Sequence, residues 1–167
     1  MDSSDAIQLL ILVVLLALSA FFSSSETALT TVNKIRMRTL ADAGDGRAEF
    51  VMKVISNPGK MLSAILIGNN IVNLYASSLS TLLATRVWGN EAVGFATGVL
   101  TLLILVFGEI TPKTISTLSA ENIALRFAKI IYIIMIILTP VIYVVNHLSF
   151  VVLKIFRVDP NKRGESI

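Results

Sequence analysis

The chain has 167 residues, 54% of them hydrophobic and only 15% charged, with a mean hydropathy of +0.80 that excludes a soluble domain of this length and points to an integral membrane protein. It has no cysteine and one histidine, which excludes disulfides, thiolate chemistry and a multi-histidine zinc site. The net charge of +3 and pI near 9.4 read as a basic cytoplasmic face, not as a nucleic-acid surface.

A helix needs about 20 mostly apolar residues to cross a bilayer. The first such stretch covers residues 6–29. Its head carries Asp2 and Asp5 with no Lys or Arg, and no small-x-small cleavage site follows, so it reads as a retained span, not a signal peptide. It closes on "FFSSSETAL", residues 21–29. On a helix Ser19, Ser23 and Glu26 fall at i, i+4 and i+7 and share one stripe. The bland account is that each serine bonds the carbonyl four residues back and Glu26 marks the membrane edge. A carboxylate in hydrocarbon is costly, however, and other spans carry matching oxygens.

The connection over residues 33–57 holds Lys34, Arg36, Arg38, Arg47 and Lys53, with Lys60 just beyond it. This places it in the cytoplasm and the N-terminus outside. It reads as interfacial amphipathic helix with Ile35, Leu40, Phe50, Val51, Val54 and Ile55 available for one face, interrupted at "AGDG", residues 43–46. The "NPGK" break at residues 57–60 then announces a second span over 61–84.

Inside that span lies "IGNNIVN", residues 67–73, with carboxamides at Asn69, Asn70 and Asn73. Unpaired polar groups in hydrocarbon cost several kcal/mol each, so these need partners. Asn70 and Asn73, three apart, can point the same way, and Gly68 is expected to permit local unwinding that bares a carbonyl. The alternative is that these side chains only join helices.

A third span is expected over 92–107, after the turn "VWGNE" at residues 87–91. Its "GFATG", residues 94–98, has a GxxxG spacing that suits close packing within or between subunits. It ends in "FGEITPK", where Gly108 and Pro112 bracket Glu109. The helix should loosen there and free carbonyls beside a carboxylate; the simpler reading is an interfacial acid at a helix end.

Residues 130–153 are long enough to cross but carry Pro140 near the middle. Lys113, Arg126 and Lys129 precede this stretch, and Lys154, Arg157, Lys162 and Arg163 follow it. Both ends therefore belong in the cytoplasm, which a helical hairpin bent at Pro140 satisfies and a single crossing does not. The expected fold is all-α and integral to the cell membrane. Three spans and juxtamembrane helices over 33–57 and 119–156 make a domain of residues 1–156, followed by a linker over 157–167.

Hydroxyl, carboxamide, carboxylate and carbonyl oxygens, without sulfur or imidazole, suit hard cations such as Mg²⁺, Ca²⁺, Mn²⁺ or Na⁺. At these residues the chain resembles the transmembrane domain of the CorC/CNNM (cyclin M) magnesium transporter family. The matching pieces are "LSAFFSSSETAL" at 18–29, "IGNNIVN" at 67–73 and "GEITPKT" at 108–114, in family order. The resemblance implies a homodimeric exporter of Mg²⁺ driven by the Na⁺ gradient, with a largely dehydrated Mg²⁺ held between helices. By position it implies Ser19, Ser23, Asn70, Asn73, the Gly108 carbonyl and Glu109 as ligands. Glu26, Pro112 and Lys113 sit in the motifs without being direct ligands. It also implies that ATP acts only through cystathionine-β-synthase-type (CBS) domains, which the family carries beyond this segment and which these residues do not include.

Three rivals stand beside that reading. A membrane scaffold or dimerisation domain would use the polar residues as glue, and a passive divalent-cation channel would use the same ligands without coupling. An intramembrane enzyme would need a nucleophile and base; with no cysteine, no lysine in the first three spans and His147 alone in the fourth stretch, no enzyme is expected.

Overall fold

The structure is a computed structural model and describes residues 2–158, so the tail with Lys162 and Arg163 lies outside the described residues, as does all of the expected linker after Val158. The described residues are all-helical. Helix α1 (Ser3–Thr31) and helix α4 (Pro58–Trp88) are long apolar rods. Two short helices, α2 (Lys34–Asp42) and α3 (Gly46–Ile55), join them. A third rod, Asn90–Leu118, comprises a 3₁₀ turn (Asn90–Ala92), α5 (Val93–Leu103), a π-helical segment (Ile104–Ile110) and α6 (Thr111–Leu118). Helices α7 (Ala120–Ile137) and α8 (Thr139–Ile155) follow.

Three rods are therefore long and apolar enough to cross a membrane. The third runs eleven residues beyond the expected end at 107: Pro112 sits in the first turn of α6 and the rod widens into π-helix instead of stopping. Helices α7 and α8 meet at 69°, with Leu138 between them and Pro140 in the first turn of α8. Proline lacks an amide hydrogen and tolerates a first helical turn, so the bend falls just before it.

The boundaries follow local chemistry. Asn33 Oδ1 accepts the Arg36 amide at 3.1 Å, Asp45 Oδ1 that of Arg47 at 2.9 Å, and Asn57 Oδ1 that of Lys60 at 3.2 Å, each opening a helix. Gly44 and Gly89, at φ +95° and +86°, turn the chain after α2 and α4. The Asp45 carboxylate also takes hydrogen bonds from the Arg47 side chain, which holds its pKa below the ordinary 3.8. A depressed carboxylate pKa contributes stability above the unfolded value and loses it as pH falls through the folded one. The α3 cap therefore weakens only below about pH 4.

The best-buried apolar residues lie at one end of the bundle. Leu29, Met37, Val51, Val54, Met61, Ile65 and Ile131 are essentially inaccessible. There α7 packs on α3 and α1: Phe21 meets Phe127 edge-on at 4.8 Å, and Phe50 meets Tyr132 at 5.6 Å. Arg36 pairs with Glu121 at 2.8 Å across the same belt. Val51, Val54 and Ile55 point inward as expected, but Ile35 is 80% exposed and Met37 takes the buried position on α2.

Helices α1 and α4 run antiparallel. Phe22 lies against Gly68, Ser19 bonds Asn69, and Asp5 meets Arg86 at 3.5 Å, so residue numbers fall along α1 as they rise along α4. Helix α4 is unbroken through Gly68. The expected unwinding there does not occur; a Cβ at Gly68 would sit 2.5 Å from Phe22 Cζ, so the glycine exists to admit a ring. Gly68→Ala should lower the melting temperature of the purified protein, at a cost of about 1–3 kcal/mol for overpacking. The added variant Phe22→Leu should recover most of it. A stabilised Gly68→Ala protein, as helix propensity alone predicts, would contradict this packing.

Candidate functional site: an oxygen cluster between three helices

The candidate site is built around Ser19, a little over three turns before the end of α1 and fully buried. Its Oγ donates to Asn69 Oδ1 on α4 at 3.2 Å. The same Oγ lies 2.9 Å from where a Cβ on Gly108 would stand, in the π segment of the third rod. Three separate helices thus meet at one hydroxyl. Gly108 is glycine because any larger residue would displace Ser19.

The backbone at this point is also short of a donor. Pro112 has no amide hydrogen, so the Gly108 carbonyl lacks an i→i+4 donor and the Phe107 carbonyl lacks an i→i+5 donor. A π turn and a proline together therefore leave carbonyl capacity beside Glu109. Glu109 itself is half-buried, as is Glu26. Among the described residues the ion pairs are Arg36–Glu121, Arg47–Asp45 and Arg86–Asp5, so neither glutamate is neutralised by a partner.

Among the described residues four polar side-chain atoms are buried with no hydrogen-bond partner: Ser23 Oγ and Asn73 Oδ1 on the facing sides of α1 and α4, and Gln8 Oε1 and Ser116 Oγ elsewhere. In a membrane such orphans are costly, and they mark places where something polar is to be bound. Ser25 behaves differently, bonding back to the Phe21 carbonyl at 2.7 Å, and is structural.

Of the residues singled out from the sequence, Ser19 and Gly108 are brought together directly. Asn70 is exposed, and its neighbour Asn69 occupies the place beside Ser19. The buried residues Ala64, Gly68, Val72 and Ala76 mark the inner stripe of α4. Asn70 projects about 180° round the helix from the middle of that stripe, whereas Asn69 flanks it. The small residues at every fourth position are the signal that would have selected Asn69.

Ser23 and Asn73 are not brought together. In the α1–α4 register Ser23 lies near the level of Ile67 and Asn73 near that of Leu16, about 10 Å apart along the axes. Side chains lean toward their own helix N-terminus and shorten this by a few ångströms only. Two oxygens on one Mg²⁺ lie within about 4.2 Å of each other, so these two atoms belong to successive levels of one polar seam.

Among the described residues no three His, Cys, Asp or Glu side chains are grouped to hold a metal. Any cation here would be held by hydroxyl, carboxamide and carbonyl oxygens with few acids, a set that suits a hard ion and permits its release.

Comparison with known proteins decides the family. Residues 10–167 match the family described as "Cyclin M transmembrane N-terminal domain". The chain belongs to this cyclin M family. Among its relatives is the UPF0053 inner membrane protein YfjD of Escherichia coli K12, 39% identical over 132 residues, which are 79% of this chain and 31% of the relative. A chloroplastic DUF21 domain-containing protein of Arabidopsis thaliana is 42% identical over 146 residues, 87% of this chain and 22% of the relative. The polyamine export protein of Escherichia coli K12 is 27% identical over 170 aligned positions, 94% of this chain and 38% of that protein. The chain thus spans between 22% and 38% of the length of these relatives. The residues matched to the cyclin M family include every member of the oxygen cluster.

The Ser19–Gly108 approach predicts a measurable coupling. Gly108→Ala should destabilise the protein by about 1–3 kcal/mol, and Ser19→Gly should relieve most of that loss in the double variant, read by thermal melting. Strictly additive losses would mean that the two positions do not touch.

Proposed function

We propose that the domain is a magnesium carrier that exports Mg²⁺ in exchange for Na⁺. The observation that carries this is the convergence of Ser19, Asn69 and Gly108 from three helices, beside the partnerless Ser23 Oγ and Asn73 Oδ1. Helix glue leaves no orphaned acceptors at its centre; a cargo site does until its cargo arrives. In this reading the connection with Arg36, Arg38 and Lys53 faces the cytoplasm and the N-terminus faces outside. The protein works as a homodimer without enzymatic chemistry, and any response to ATP comes through CBS-type domains outside these residues.

The mechanism follows from the levels of the seam. Glu26 and Glu109 raise the local cation concentration at one end. Mg²⁺ dehydrates reluctantly and needs near-octahedral oxygens. It exchanges part of its water for Ser23 and Ser19 hydroxyls, the Asn69 carboxamide, the Gly108 carbonyl and Glu109, and passes to the Asn73 level on its way out. The π segment is the moving part. Reverting it to α-helix shifts the register by one residue and turns α6 about 100° relative to α5, withdrawing the Gly108 carbonyl. Sodium, with a weaker demand for ordered ligands, favours the return.

A second reading, polyamine export, is favoured by the relationship to the polyamine export protein of Escherichia coli. The same cluster would then take ammonium groups in place of a metal ion. Both readings are tested by melting the purified protein with Mg²⁺ or with spermidine. At a hundred times its Kd a bound ion adds about 2.7 kcal/mol to stability. Mg²⁺ should raise the melting temperature, and Ser19→Ala, Asn69→Ala and Glu109→Gln should each remove that rise while Asn70→Ala keeps it. A response to spermidine alone would select the second reading, and a response to neither would leave only a scaffold. Flux into liposomes with and without a Na⁺ gradient separates the coupled carrier from a passive channel.

A further inference from the structure

At the end of the bundle remote from the α2–α3 belt, α1, α4 and α5 enclose a cavity of about 700 Å³. That volume falls within the range of about 300–1,000 Å³ typical of sites for small ligands. The lining is apolar apart from Asp5 and Ser80, with Leu9, Leu83, Phe95 and Leu103 among its walls. Nothing in the transport cluster reaches it.

Asp5 gives the cavity a polar head. It is only 7% exposed, and it accepts from the Asp2 amide at 3.1 Å. Its Oδ1 meets Arg86 Nη1 at 3.5 Å. That distance is long for a charge-assisted bond, which closes to about 2.7–2.9 Å. Arg86 reaches Ser4 Oγ at the same loose 3.5 Å, and its side chain stays 55% exposed. The guanidinium therefore has donors to spare, next to a buried carboxylate, at the mouth of an apolar chamber. Trp88 beside it is the kind of residue that sits at the headgroup level of a bilayer.

We propose that this cavity is a site for one zwitterionic phospholipid with a primary ammonium head, of the phosphatidylethanolamine class. An acyl chain fills the apolar chamber, the phosphate takes the free donors of Arg86, and the ammonium donates to Asp5. The paired charges of opposite sign select a headgroup carrying both, and the walls select a hydrocarbon tail. A second copy of the chain is the less fitting occupant. Gly94 and Gly98, which open onto free space and suit helix–helix contact, lie on the face of α5 opposite to Ala96, Leu100 and Leu103, which line the cavity.

The test is native mass spectrometry of the full chain released from nanodiscs containing equal phosphatidylethanolamine, phosphatidylcholine and phosphatidylglycerol. One phosphatidylethanolamine per chain should remain, retained at least ten-fold over the other two. Arg86→Gln and Asp5→Asn should each lower that retention five-fold or more. Ala96→Phe, which fills the cavity from its wall, should remove the adduct at an unchanged melting temperature. Equal retention of the three lipids, no retained lipid, or undiminished retention in Arg86→Gln would each overturn the proposal. So would efficient disulfide cross-linking of Leu103→Cys between copies in native membranes, because this wall faces away from the two glycines and a cross-link there would put protein where the lipid belongs. If Ala96→Phe fails to fold, Arg86→Gln decides alone. None of these outcomes depends on Mg²⁺ binding, so the site stands or falls apart from the transport reading.

Discussion

The close approach of α1 to two glycines governs the geometry of this domain. Phe22 fits against Gly68 of α4, and Ser19 fits against Gly108 of the third rod. Each contact removes the space a Cβ would occupy, so both neighbouring rods are held within reach of short serine and asparagine side chains. In a membrane there is no hydrophobic drive between helices, because lipid tails are as apolar as leucine. Van der Waals contact and interhelical hydrogen bonds must hold the rods, and both need such closeness. The oxygen cluster is thus a consequence of packing: residues with two to four side-chain heavy atoms converge only where backbones nearly touch.

The same economy explains where the core lies. The deepest burial is in the belt of α2, α3 and α7 around the ends of α1 and α4, where Val51, Val54 and Ile131 exclude solvent completely. The rods themselves leave Leu10, Leu66, Leu102 and many like them exposed, as lipid-facing residues must be. The belt anchors the rods at one end. The third rod packs against α1 through its π segment and α6, and against α4 through α5. A π segment is a local widening of the helix that is frequent at functional sites, and it sits opposite the Ser19 hydroxyl, where all three rods meet.

Much of this was legible beforehand. Spans appeared as apolar runs, the bend near Pro140 as a proline in the middle of an apolar stretch, and the belt as a mixed segment between spans. The polar motifs drew attention to Ser19 and Gly108, which the fold brings into contact, because oxygen donors inside hydrocarbon are rare enough to stand out. Two details read differently in three dimensions. Gly68 looked like a place to unwind and is instead a seat for Phe22; Asn70 looked like the partner of Asn73, while Asn69 is the residue that meets Ser19. Both turn on which side of α4 faces α1, and a helix hydrophobic nearly all round carries little rotational signal.

Composition and order along the chain determined the class, the number of rods and the chemistry of the donors, since these depend on transfer free energies that each residue carries with it. Rotation and register were decided only by the fold. Which asparagine turns inward, which serine is left without a partner and how far Ser23 stands from Asn73 all depend on the meeting of surfaces distant in sequence. Those contacts are set by shape, glycine against ring and glycine against hydroxyl, and shape is a property of two helices together.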